Sequence, residues 1–238
     1  MLTRWWLGPV ALAAALAIAG CARSGARVTA RTLPPDRNAP FVYVALGDST
    51  VEGIGATSAA RNYVSRIGDR LRGVYPAARV VNLGKGGATS ADVVKKQLGK
   101  AVRLEPQLVT LSIGPNDITD SRDVEQYEKN IDTIFRTLTR NTGAVVVANL
   151  LPDLAITPRF RAAPERAAVG EQTERYNRAL VRKAQEYGVE VVDLFTASRE
   201  EVPRHPELVW SDGYHPSDAG YARWAELMWQ RIAARIAG

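Results

Sequence analysis

Val44-Ala45-Leu46-Gly47-Asp48-Ser49-Thr50 is the stretch from which the rest of the chain can be placed. The run Phe41 to Leu46 is apolar and rich in Val and aromatics, with the length of a buried strand. Gly47-Asp48-Ser49 follows at its C-terminal end, and Thr50-Val51-Glu52-Gly53 leads on toward a helix. In open α/β sheets ligands bind at the carboxyl edge, where strands end. A serine there is placed to meet a substrate. By itself Gly-Asp-Ser more often describes a turn with a capping hydroxyl, so the remainder of the sequence has to decide.

Downstream, apolar strands alternate with helical periodicity. Asn62 to Tyr75 carries Val64, Ile67 and Leu71 at helical spacing, with Pro76 just beyond. Strands are expected over Arg79–Leu83, Leu108–Ile113, Ala144–Leu150 and Val189–Phe195. Helices are expected over Thr89–Leu104, Ser121–Arg140, Glu165–Tyr187 and Pro216–Ala237, with Pro216 in the first turn of the last. Long loops separate Pro152 from Pro164 and Phe195 from Trp210. Five strands alternating with helices predict an α/β fold with a parallel sheet covered on both faces. Right-handed crossovers then bring the loops after the strands to one edge.

The 238 residues, 46% hydrophobic and 24% charged, suit one globular domain. The net charge of +6 is spread through helices and loops, which describes a solvated surface and not a nucleic-acid groove. Two histidines and one cysteine leave almost nothing for a transition-metal site and exclude an intramolecular disulfide. Residues 1–20 carry Arg4 and then a nearly unbroken apolar stretch, the shape of a secretory signal and short for a membrane span. Ile18-Ala19-Gly20-Cys21 resembles the bacterial lipobox, which implies lipidation of Cys21 and export to the cell envelope. Residues 21–40, rich in Arg, Ser, Ala and Pro, are expected to form an extended tether to the membrane. The folded domain is then expected over 41–238.

Chemistry-bearing residues recur at the expected carboxyl edge. Asn82-Leu83-Gly84-Lys85-Gly86-Gly87 follows the second strand, and its glycines would let backbone N–H groups approach a ligand. It lacks the Walker and dinucleotide spacings, as does Gly53-Ile54-Gly55, so no nucleotide cofactor is expected. Gly114-Pro115-Asn116-Asp117 follows the third strand and presents an amide. Before the last helix, Asp212 and His215 are three residues apart, close enough for the carboxylate to hold the imidazole. His205, between Pro203 and Pro206, is treated as incidental. Together these residues are the inventory for acyl transfer through a covalent serine intermediate. The G-x-S-x-G elbow of α/β-hydrolases is absent at Ser49.

The ordered blocks Gly47-Asp48-Ser49, Asn82-x-Gly-x-Gly-Gly87, Gly114-x-Asn116-Asp117 and Asp212-x-x-His215 resemble the SGNH hydrolases, the GDSL esterase/lipase superfamily, from Phe41 to the C-terminus. The resemblance implies a flavodoxin-like three-layer α/β/α fold with a five-stranded parallel sheet. It implies Ser49 as nucleophile and backbone donor, Gly87 as a second backbone donor, and Asn116 as a side-chain donor to the oxyanion. His215 would be the general base and Asp212 its orienting carboxylate. Thr50 stands where the name motif has Leu, and Lys85-Gly86 before Gly87 is less usual.

An ester of a small molecule, lipid or glycan is the expected substrate, with the membrane as a partner through the anchor and no metal. Within the loop Leu150-Leu151-Pro152-Asp153-Leu154 the apolar residues are expected to line an acyl groove. Arg159 and Arg161 would meet an anionic group or water. Acyl transfer to an envelope glycan, and a non-catalytic lipoprotein binding glycan or lipid, are the competing readings.

Overall fold

A computed structural model of the chain describes residues 31–237; Cys21, the leader and the first ten residues of the expected tether lie outside them. In chain order the elements begin with β1 (Phe41–Gly47), α1 (Ser49–Glu52), α2 (Tyr63–Val74) and β2 (Ala78–Asn82). Then come α3 (Ser90–Asp92), a π turn (Val93–Gln97), α4 (Leu98–Arg103), β3 (Leu108–Ser112), α5 (Pro115–Thr119) and α6 (Val124–Asn141). The second half holds β4 (Val145–Asn149), α7 (Pro158–Arg161), α8 (Arg166–Tyr187), β5 (Glu190–Val192), α9 (Leu194–Glu201) and α10 (Asp218–Ala233).

All five strands pair in parallel, in the order β2-β1-β3-β4-β5. The chain leaves β1 for β2 on one side and returns to β3 on the other. The switch point is therefore between β1 and β3, and Ser49 follows directly from it. Strand residues alternate between two cores. Val44, Leu46, Val109 and Leu111 face α6 and α8 through Ile131, Ile134, Phe135 and Leu180. Phe41, Tyr43, Ala45 and Val147 face α2 and α10 through Ile67, Leu71, Trp224 and Met228. Full burial of each large aliphatic side chain contributes about 1.5–3 kcal/mol, so the two layers hold the sheet rigid beneath the loops.

Several boundaries differ from expectation for local reasons. The fifth strand stops at Val192 and not Phe195, because Asp193 accepts from Thr196 N–H (2.9 Å) and the Thr196 hydroxyl (2.7 Å) and starts α9. A short capping side chain here overrides an apolar run. The last helix begins at Asp218, capped by Ser217 on Gly220 N–H at 3.2 Å. Pro216 lies outside it, bridged to Val209. The expected helix over Thr89–Leu104 is one continuous segment, but its middle widens into the π turn.

The expected tether needs correction over its described part. Leu33 is fully buried in the core with Tyr75 and Ile232, and its N–H donates to Arg235 O at 2.7 Å. The Arg31 guanidinium donates to Thr139, Thr142 and Ala144 carbonyls at the C-terminal end of α6, where a cation complements the helix dipole. Arg37 bonds the Tyr75 hydroxyl at 2.7 Å and the Ala237 carbonyl at 2.5 Å. The packed body thus starts well before Phe41. One leucine and two carbonyl-binding arginines suffice to dock a segment whose composition suggests disorder.

Candidate active site

The site is built where β1 ends. Gly47 has φ +148, and a Cβ there would sit 1.9 Å from the Ser112 carbonyl, so only glycine lets β1 turn this close to β3. The turn is held by Gln97, which accepts from Gly47 N–H (2.9 Å) and donates to Gly47 O (2.8 Å). Asp48 then caps α1: its Oδ1 accepts from the Thr50 N–H and hydroxyl, both at 2.9 Å. Its Oδ2 is buried without a partner. Burial pushes the Asp48 carboxyl up to about 6 against the pull of the Thr50 hydrogen bonds. Ser49, the first residue of α1, is left with its hydroxyl facing the loop before α10.

That loop is folded on Asp212. Asp212 Oδ1 accepts from the Tyr214 and His215 N–H groups (2.9 and 3.0 Å), while Trp210 N–H donates to His215 O at 2.8 Å. Asp212 Oδ2 lies 2.6 Å from His215 Nδ1, and His215 Nε2 lies 2.9 Å from Ser49 Oγ. A carboxylate can only accept, so Nδ1 carries the proton and Nε2 is free to accept from the serine hydroxyl. Burial raises the Asp212 carboxyl, but its three hydrogen bonds outweigh that and hold it below its ordinary value. The Tyr214 ring meets the imidazole edge-on at 5.1 Å and limits its rotation.

On the other side of Ser49, Lys85-Gly86-Gly87-Ala88 forms a turn closed by Ala88 N–H on Lys85 O at 3.0 Å. Gly87 has φ +76 and Gly86 is not in the positive-φ region, the pattern of a type II turn, which demands glycine at its third position. Among the described residues the Gly87 and Ser49 N–H groups have no hydrogen-bond acceptor. Asn116, on α5, donates one amide hydrogen to Ala88 O at 2.9 Å, which fixes it beside this turn with its second amide hydrogen uncommitted. Asp117 ties α5 to the start of α3, accepting from Ser90 N–H (2.9 Å) and hydroxyl (2.5 Å). Burial raises its carboxyl.

A mostly apolar cavity of about 120 Å³ opens at Ser49 and His215. Ile113, Leu151 and Leu154 line one side; Leu194, Leu208 and Trp224 line the other. Leu151, Pro152 and Leu154 of the expected acyl groove are in place, whereas Leu150 is not among the lining residues. The loop is pinned by Asn177, whose side chain bonds both Leu151 N–H (2.8 Å) and O (3.0 Å). Arg159 lies over the Tyr214 ring at 4.9 Å with no ion-pair partner among the described residues. His205 pairs with Glu207 at the surface, 3.1 Å away.

Ser49, Asp212 and His215 are therefore brought into one hydrogen-bonded line, and Gly87 and Asn116 into one cluster beside it. Gln97, Asn177 and Glu52 escape sequence reasoning. Each acts by reaching a backbone group far along the chain, and no local pattern marks such a reach.

The model of the GDSL-like lipase/acylhydrolase family matches residues 45–223. Solved structures share the fold at low identity. An α/β hydrolase enzyme from the metagenome of Lake Arreo, Spain, is 23% identical, with TM-score 0.67 over 84% of this chain and 98% of its own. An acetylxylan esterase from Geobacillus stearothermophilus is 21% identical, with TM-score 0.66 over 82% and 95%. A lipase/acylhydrolase from Enterococcus faecalis is 21% identical, with TM-score 0.68 over 83% and 97%. No curated protein matches the sequence.

Proposed function

The chain belongs to the GDSL-like lipase/acylhydrolase family, and we propose that it hydrolyses carboxylic or thioesters of short acyl chains through an acyl-enzyme on Ser49. It is an SGNH serine hydrolase. The observation that carries the assignment of roles is the unbroken line Ser49–His215–Asp212 at 2.9 and 2.6 Å.

Serine is a weak nucleophile until a base takes its proton. His215 Nε2 accepts that proton as Ser49 Oγ bonds to the ester carbonyl carbon, and Asp212 stabilises the imidazolium that results. The carbonyl oxygen becomes an oxyanion next to Ser49 N–H, Gly87 N–H and the free Asn116 amide hydrogen, and each such donor is worth about 3 kcal/mol of barrier. His215 then returns the proton to the leaving alcohol or thiol as the tetrahedral intermediate collapses. Water, deprotonated by the same imidazole, attacks the acyl-serine; the bond to Ser49 Oγ breaks, the imidazolium returns its proton to Oγ, and the acid is released.

The apolar cavity beside Ser49 supports an acyl subsite. Acetylated glycans and small esters fit this reading. The apolar leader and the Ile18-Ala19-Gly20-Cys21 sequence support export and anchoring through lipid on Cys21. Intact-mass measurement of membrane-extracted protein tests the anchor: an unmodified Cys21 rules it out. Hydrolysis of p-nitrophenyl esters of increasing acyl length, beside Ser49→Ala, tests the activity. Turnover should peak at short chains and vanish in the variant. Turnover that persists without the Ser49 hydroxyl would refute the assignment.

A further inference from the structure

Glu52 stands one turn after Ser49, yet its side chain reaches away from α1 to the glycine turn. Its Oε2 accepts from Gly86 N–H at 2.5 Å, and its Oε1 meets Lys85 Nζ at 3.2 Å. The Gly86 bond is the main reason the Glu52 carboxyl is held below its ordinary value, with Lys85 adding to it. Every other N–H in the turn is already committed: Gly84 to Asn82 Oδ1 (2.9 Å), Lys85 to Gly47 O (3.1 Å), Ala88 to Lys85 O (3.0 Å). Only Gly87 N–H is left to donate.

Resting on the catalytic reading above, we propose that Glu52 is a positioning residue for the oxyanion: by accepting from Gly86 N–H it ties the glycine turn to α1 and so sets where Gly87 N–H stands relative to Ser49. The closing bond from Ala88 N–H to Lys85 O holds the turn's shape but ties it to nothing else, and its two adjacent glycines add little stiffness of their own. Glu52 supplies an external tie through the Lys85–Gly86 peptide, and α1 fixes Glu52 relative to Ser49 itself. The nucleophile and the oxyanion donor are thereby set by one four-residue helix. Lys85 is largely exposed and its ion pair adds little.

The test compares the wild type with Glu52→Ala and Glu52→Gln in ester hydrolysis and in inhibition by an alkyl boronic acid, a mimic of the tetrahedral intermediate. Glu52→Ala should lower kcat about 10- to 100-fold with KM nearly unchanged, and weaken boronate inhibition in parallel. Glu52→Gln keeps an oxygen acceptor for Gly86 N–H and should restore most of kcat. A folded Glu52→Ala protein with wild-type kcat overturns the proposal. So does a Glu52→Gln protein as impaired as the alanine variant, which also decides the case if the alanine variant fails to fold. Should Ser49→Ala retain turnover, the catalytic reading fails first, and that result is distinct from an inactive Ser49→Ala beside a fully active Glu52→Ala.

Discussion

The two sides of Ser49 are built on opposite rules. Toward His215 the relay is fully matched: Asp212 takes three hydrogen bonds, and the imidazole is bonded through both nitrogens. Toward the glycine turn, donors are left open: Ser49 N–H, Gly87 N–H and one hydrogen of the Asn116 amide have no acceptor among the described residues. The difference follows from what each side handles. A proton moves along bonds that already exist, so the relay is complete at rest. Negative charge exists only during reaction, so its donors have to wait unsatisfied, and a rigid frame must keep them from finding other partners. Type II turn geometry, Asn116 on Ala88 O and Glu52 on Gly86 N–H are that frame.

Breaking the matched side should cost most. Asp212→Asn leaves a neutral amide opposite Nδ1 and permits the wrong imidazole tautomer, so kcat should fall on the order of a thousand- to ten-thousand-fold. A pH–rate profile of the variant checks this, because activity regained at high pH would mark a surviving base. Loss below ten-fold would mean that the relay does not depend on this carboxylate. Breaking the waiting side should cost less: Asn116→Ala removes one donor and should lower kcat about a hundred- to a thousand-fold at nearly constant KM. Steady-state kinetics decide, and a change confined to KM would place Asn116 in ground-state binding.

A third effect, on stability and not on turnover, concerns Asp48, which lies between the two sides. Its folded value of about 6 exceeds the unfolded value near 3.9. The native state therefore holds the proton longer than the unfolded chain. Stability is then greatest below about pH 4 and falls as pH rises to about 6, by up to about 3 kcal/mol. Asp48→Asn keeps an oxygen for the Thr50 cap and should remove that decline. Urea unfolding between pH 4 and 7 measures it, and parallel curves for the two proteins would show that Asp48 is not the group responsible.

Much of this was legible because it is local. Strand and helix periods, the glycine after β1, and Asp212 three residues before His215 are short-range patterns, and the edge on which they meet follows from parallel topology. Where the sequence misled, a side chain acted at long range or a cap overrode propensity. The Arg31–Pro40 segment looked like tether because its docking depends on Leu33 and on carbonyls more than a hundred residues away. The apolar run to Phe195 has the pattern of a strand, and the Asp193 cap that ends it acts only once the helix after it forms.

The sequence by itself determined the alternating α/β plan, the residues available for acyl transfer and their order along the chain, because these follow from backbone period and side-chain chemistry. Tertiary structure alone decided the 2.9 Å approach of His215 to Ser49, the cavity beside them and the latch of Glu52 on Gly86. These depend on how loops far apart in sequence pack on one rigid sheet edge. A contact of that kind is fixed by the sum of many burials, and no single stretch of residues encodes it.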